Sequence, residues 1–124
     1  MMKKISDWFE IDEKQYMWYI LQGYDIAVNE ISVDWYIDGK LHRTDGPASI
    51  WADGIQDWWV DGKRHRTNGP AIIWADGTHE WWVDGKRHRT DGPAVVRSNG
   101  LKAWYINGTQ YTEEQFNEKT KRLV

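Results

Sequence analysis

Slid along itself by the distance from Trp35 to Trp58, the chain falls back into register. Trp35, Trp58, Trp81 and Trp104 form one column, Gly39, Gly62, Gly85 and Gly108 a second, and Pro47, Pro70 and Pro93 a third. The pairs Asp53-Gly54, Asp76-Gly77 and Asn99-Gly100 keep the same spacing. A fixed period of this length signals stacked supersecondary units, none of which can bury its apolar face alone. With 124 residues the expected product is one compact array, with no room for a separate catalytic module.

Within a unit, "EWWVDGKRHR" is a β-hairpin signal. Asp-Gly supplies the two positive φ angles of a type I′ turn between strands of alternating character. Pairing outward from Asp61-Gly62 sets Val60 opposite Lys63, Trp59 opposite Arg64, Trp58 opposite His65 and Asp57 opposite Arg66. The same arithmetic matches Asp34 with Arg43 and Glu80 with Arg89, three favourable cross-strand acid–arginine pairs.

After "RTDGP" a second strand such as "AIIW" runs into "ADG". A three-residue loop with Gly77 left-handed would return it to the next hairpin, with Ala71 opposite Trp81 and Ile73 opposite His79. Ile50, Ile73 and Val96 then share a face with the Trp35 column, which reads as the core. The other face receives Ser49, Trp51, Trp74 and Arg97 and is expected to be the wetter one.

The ends differ from the repeats. In "YTEEQF", Thr112 and Gln115 form a capping box and Tyr111 and Phe116 a hydrophobic staple, so a helix starts near Glu113. In "IDEKQY", Asp12 and Gln15 form the box, Ile11 and Tyr16 the staple, and Gly23 the stop of a helix over about 13–22. The expected fold is mainly β: an elongated, twisted antiparallel sheet of stacked hairpin repeats with a short helix at each end. The divisions are a helical cap over 1–33, three and a half repeats over 34–111 and a second helical cap over 112–124. Seven or eight strands at roughly 4.8 Å each make a sheet about 30–35 Å across. Each short helix covers only about three strands of one face. A bare aromatic face of that size suggests an interface, and a homodimer through the central repeats is the expected way to cover it.

Composition narrows the function classes. The chain is 40% apolar and 28% charged with a formal net charge of −3, which fits neither a disordered chain nor a polycation coating nucleic acid. No apolar run reaches the roughly 18 residues that span a bilayer, and no signal-peptide core follows "MMKK", so the expectation is no membrane and a cytoplasmic location, the host cytoplasm if the source is viral. The absence of cysteine removes disulfides, thiolate nucleophiles and cysteine metal sites. Phosphate-binding glycine loops, nucleophile elbows and "H-E-x-x-H" helices are absent, and no cofactor, metal or catalytic residue is expected.

The period and the "W-x-[DN]-G-K-x-H … [AS]-[DN]-G" frame resemble a variant of the MORN repeat, over about residues 34–111. The fuller "WY-x-[DN]-G-K-x-H-R-x-D-G-P-A" wording is similar to repeats in uncharacterised proteins of tailed bacteriophages and large DNA viruses. Two departures stand out: the "Y-x-G" opening of a MORN unit is missing, and "DGPA" replaces its glycine-x-glycine pair. The resemblance implies a stacked-hairpin scaffold that binds, usually proteins, and a viral source.

His42, His65 and His88, each three residues before an acid or amide in "H-R-T-[DN]", suggest a general base or half a metal site. Asn68 replaces the acid in the middle unit, which favours a structural role with Asp or Asn capping the turn. The candidate binding residues are instead Tyr36, Trp51, Trp59, Arg64, Trp74, Trp82, Arg87, Arg97 and Tyr105, an aromatic display laced with arginine of the kind that forms binding hot spots. The leading expectation is a non-enzymatic binding protein that docks a host macromolecule, a protein, through this surface, in a virus to inhibit a host defence or regulatory protein. The rivals are a sequesterer of a small anionic, nucleotide-like ligand and a purely structural scaffold. Net negative charge and the acid beside most arginines count against single-stranded nucleic acid.

Overall fold

The structure, a computed structural model, describes residues 1–121. The last three residues of the expected cap over 112–124 lie outside the described residues. In chain order the elements are β1 (Met2–Ser6), β2 (Phe9–Asp12), α1 (Glu13–Leu21), β3 (Asp25–Val28), β4 (Ser32–Ile37), β5 (Lys40–Leu41), β6 (Ser49–Trp51), β7 (Gln56–Asp57), β8 (Trp59–Val60), β9 (Lys63–Arg64), β10 (Ile72–Ile73), β11 (His79–Glu80), β12 (Trp82–Val83), β13 (Lys86–Arg87), β14 (Val95–Val96), β15 (Lys102–Ile106), β16 (Thr109–Tyr111) and α2 (Glu113–Lys121). The protein is mainly β, with a ten-stranded antiparallel sheet ordered β16-β15-β14-β11-β10-β7-β6-β4-β3 and β5 beside β4. Among the described residues, no helix is long and apolar enough to cross a membrane.

The repeat builds two parallel lanes. One is the run of short strands that includes the row Val33, Ile50, Gln56, Ile73, His79, Val96 and Lys102, each opposite the next. The other is the series of hairpins, whose turns take the positive φ pair expected of type I′: Asp61 and Gly62 lie at 50° and 76°, Asp84 and Gly85 at 50° and 79°. Trp59 pairs with Arg64 and Val60 with Lys63, so the turn sets the register as its sequence predicts. The three-residue loop is also present. Ile73 faces His79, the Trp74 amide donates to Thr78, and Gly77 is left-handed at 92°.

Neighbouring hairpins are stitched together by contacts that recur at each of the three junctions between hairpins. The Arg43 amide donates to the Trp59 carbonyl, the Gly62 amide to the Leu41 carbonyl, and the Asp61 amide to Nδ1 of His42 at 3.1 Å. His65 and His88 accept from Asp84 and Asn107 in the same way, each at 3.0 Å. The histidine column therefore fastens one unit to the next.

That stitching overturns the expected pairs Asp34–Arg43, Asp57–Arg66 and Glu80–Arg89. After His65 the chain leaves its hairpin partner, and the Arg66 amide donates to Trp82 of the following unit. Arg43, Arg66 and Arg89 instead lie on Trp35, Trp58 and Trp81, with guanidinium carbons 4.2, 4.0 and 3.9 Å from the ring centroids. Each donates from Nε to Asp45, Asn68 or Asp91 and from Nη1 to the carbonyl of Pro47, Pro70 or Pro93. The Asp and Asn side chains thus hold arginines rather than cap turns. Glycine precedes each proline because a Cβ on Gly46, Gly69 or Gly92 would stand 2.7–2.9 Å from the guanidinium carbon.

The expected division into a core face and a wet face is also corrected. Ser49, Asp57, Ile72, Glu80 and Val95, on the face expected to be wetter, are all buried, whereas Ile50, Ile73 and Val96 are only half-buried. Ala48, Ala71 and Ala94 are fully buried along the array, but the large apolar side chains of the face carrying Trp35 gather under the N-terminal cap. There Ile11, Tyr19, Tyr24, Val33 and Trp35 cluster, with Phe9, Ile26, Ile37 and Ile50 packed around them. We refer to it as the cap face.

The cap is more than a helix. β1 and β2 form a hairpin that precedes α1, and β3 joins the main sheet beside β4. α1 begins where Asp12 accepts from the Lys14 and Gln15 amides and ends before Gly23, whose φ is 93°. Gln15 does not complete the expected box, because its amide reaches Tyr19 instead. At the other end the box is reciprocal: Thr112 Oγ1 accepts from the Gln115 amide and Gln115 Oε1 from the Thr112 amide.

Candidate functional site: an arginine–aromatic ladder

Trp59 and Arg64 are cross-strand partners, so they share the face opposite Trp58. The same holds for Trp82 with Arg87 and for Tyr36 with Leu41. Stitching of the hairpins brings these pairs into one row. The Arg64 guanidinium lies between Trp59 and Trp82, 5.1 and 5.0 Å from their centroids, and that of Arg87 lies between Trp82 and Tyr105, 5.3 Å from each. Each arginine thus bridges two repeats, a contact the register of one hairpin does not reveal. All six members, Tyr36, Trp59, Arg64, Trp82, Arg87 and Tyr105, are half-buried.

Acids that sequence reasoning assigned to other arginines fix this row from beneath. Asp57 accepts from Nε and Nη2 of Arg64 at 2.8 and 3.0 Å, a two-point clamp. Glu80 accepts from Arg87 Nε at 2.9 Å, from Trp74 Nε1 at 2.6 Å and from Trp82 Nε1 at 3.3 Å. Burial alone would push the Glu80 carboxyl up, but the hydrogen bonds from Trp74 and Arg87 and the Arg87 charge outweigh it and hold the group below the ordinary glutamate range. In the first unit Asp34 instead accepts from Ser49 and Ser32, where the column carries Leu41 rather than arginine. The signal for these acids was present in the sequence: Asp57 and Glu80 lie two residues before Trp59 and Trp82, hence on the same face of a strand.

Trp51, Trp74 and Arg97 form a second, parallel column on this ladder face. Trp51 is half-buried, and Trp74 and Arg97 are exposed. Trp74, Thr78, Glu80, Arg87 and Arg97 line a hollow of about 490 Å³ between the columns. Every candidate binding residue therefore falls on one face. The N-terminal cap packs on the other face, so it leaves the ladder uncovered.

The histidines do not converge. Among the described residues, no three His, Asp or Glu side chains stand together as a metal set. Comparison of the chain with family models, with curated proteins and with solved structures gives no match.

Proposed function

We propose that this chain is a non-enzymatic binding protein that docks a partner protein through its ladder face. The observation that supports the reading is the half-exposed row of alternating aromatic rings and guanidinium groups, pre-organised by buried acids. Tryptophan, tyrosine and arginine dominate binding hot spots, and their cost on binding falls when their rotamers are already fixed. Arg64 and Arg87 are neutralised by Asp57 and Glu80, so the face offers flat, amphipathic contact rather than net positive charge. That weakens the rival reading of a small anionic ligand, because the Asp57 and Glu80 carboxylates offset the charges that would attract it.

Affinity capture with the wild type, with Trp59→Ala/Trp82→Ala and with the exposed-site variant Arg97→Glu tests the proposal. A specific protein should be lost by the double variant and weakened by Arg97→Glu while circular dichroism stays native. Retention of every partner by both variants overturns it. If light scattering shows a dimer that the same substitutions dissociate, the partner is a second copy of the chain.

A further inference from the structure

On the cap face, successive units enclose bays of one design. The first open bay, about 520 Å³, is lined by Arg43–Gly46 of one unit and Trp58, Val60, His65, Arg66 and Asn68 of the next. The second, about 760 Å³, is lined by the equivalent residues one unit on, including Arg66–Gly69, Trp81, Val83, His88, Arg89 and Asp91. One unit back, the equivalent positions are Ile20–Gly23, Trp35, Ile37, His42, Arg43 and Asp45. That place is filled by the chain itself.

The occupant is Tyr19, delivered by α1. Its ring meets Trp35 edge-on with centroids 6.0 Å apart, its hydroxyl donates to Asp45 Oδ2 at 2.7 Å, and Arg43 Nη2 donates to that hydroxyl at 3.0 Å. Tyr24 closes the bay beside His42, 6.1 Å between rings. The second open bay keeps the same receptor: Arg89 lies on Trp81 and its Nε holds Asp91 at 2.8 Å, as Arg43 lies on Trp35 and holds Asp45 at 3.0 Å. Cover is what differs. The Asp45 side chain is 46% exposed and that of Asp91 84%. The first open bay carries Asn68, an amide that still accepts from Arg66 but brings no charge to a phenol.

We infer that the two open bays are tyrosine-binding sites, which take phenolic side chains of a partner protein in the manner that the first bay takes Tyr19. Adjacent units are two strands apart, about 10 Å. On a helix, residues i and i+7 stand about 10.5 Å apart on one face. The fitting partner segment is a helix with tyrosines seven residues apart, the second copy of a role that α1 plays with one. These bays lie on the face opposite the ladder, so the inference goes beyond the proposed function, and either can fail alone.

Two-dimensional NMR of the full chain, followed at the indole N–H groups, tests it with N-acetyl-tyrosinamide and N-acetyl-phenylalaninamide as probes. The tyrosine probe should shift Trp58 and Trp81 saturably and leave Trp35 and Trp59 in place. The phenylalanine probe should bind at least about tenfold more weakly at the Trp81 bay, the worth of one hydrogen bond to a charged group, and about two- to fivefold more weakly at the Trp58 bay, where Asn68 is uncharged. Asp91→Ala, an exposed substitution, should weaken the response at Trp81 alone, and Asn68→Asp should strengthen the response at Trp58. A helical peptide with Tyr at i and i+7 should bind at least about tenfold tighter than its single-tyrosine version. No saturable shift at Trp58 or Trp81, equal binding of the two probes, or shifts confined to Trp59 and Trp82 would each overturn the inference.

Discussion

Trp74 and Glu80 are joined by a 2.6 Å hydrogen bond from the indole nitrogen, and the same carboxylate accepts from Trp82. One repeat earlier the acid is Asp57, a methylene shorter. Its oxygens are taken by Arg64, and Nε1 of Trp59 is buried with no partner. A buried donor left unsatisfied costs about 1–3 kcal/mol.

Asp57→Glu should therefore stabilise the protein, by about 1 kcal/mol and a few degrees of Tm, by giving Trp59 the acceptor that Trp82 already has. The reverse change, Glu80→Asp, should cost about as much. Calorimetry on the pair of variants checks both signs.

Glu80 also fixes the acid response. Its carboxyl is held low in the folded protein, because the bonds from Trp74 and Arg87 outweigh burial. A depressed folded value means that its contribution is present above the unfolded glutamate value of about 4.3 and is lost as pH falls through the folded value. Wild-type stability should drop along that acid limb, and Glu80→Gln should be less stable at neutral pH with a shallower drop. Equal slopes for the two proteins would refute the assignment.

Tyr19→Phe keeps the ring in the first bay and removes the hydroxyl between Asp45 and Arg43. About 1–1.5 kcal/mol should be lost. Burial tends to raise the Asp45 carboxyl, and the phenol and Arg43 more than offset it, so it lies below the ordinary aspartate range. In the variant it should titrate higher, which carboxyl carbon NMR reads directly.

His88→Leu should open one seam of the stack. The Asn107 amide loses its acceptor, so its hydrogen exchange should accelerate, while the Asp61 and Asp84 amides, held by His42 and His65, keep their rates. His88→Asn, whose Oδ1 sits near the place of Nδ1, should restore much of the protection.

Which parts of this were legible in the sequence follows the range of the forces involved. The type I′ turns, the pairing of Trp59 with Arg64 and the Thr112–Gln115 box are local, fixed by φ preferences and a few residues of spacing. The aromatic display on one face followed from strand alternation alone. The pairing of Asp57 with Arg66 failed because it assumed that a hairpin keeps its own partner, whereas Arg66 donates its amide to Trp82, a contact into the next unit that the register of one hairpin does not contain. The β1–β2 hairpin was missed because its turn, around Asp7 and Trp8, has no glycine and its register slips between Lys4 and Ser6. The occupied bay was hidden for another reason. Tyr19 belongs to no repeat, and only the placement of α1 shows that it fills a repeated site.

The last hairpin breaks the histidine column. Tyr111 stands where His42, His65 and His88 stand, and the Thr112 amide, which in earlier units would reach the next hairpin, is taken by Gln115. The stop signal thus resides in one unit and not in the length of the whole. Every internal junction uses the same few bonds, so duplication or loss of a one-unit segment in the gene would yield a longer or shorter array closed by the same terminator. Each added unit would carry one more bay on the cap face and one more rung on the ladder face. If the ladder and the bays bind as proposed, valency would change by whole numbers in a single genetic event, and the tightness of a multi-point contact would change by orders of magnitude without any substitution at a contact residue.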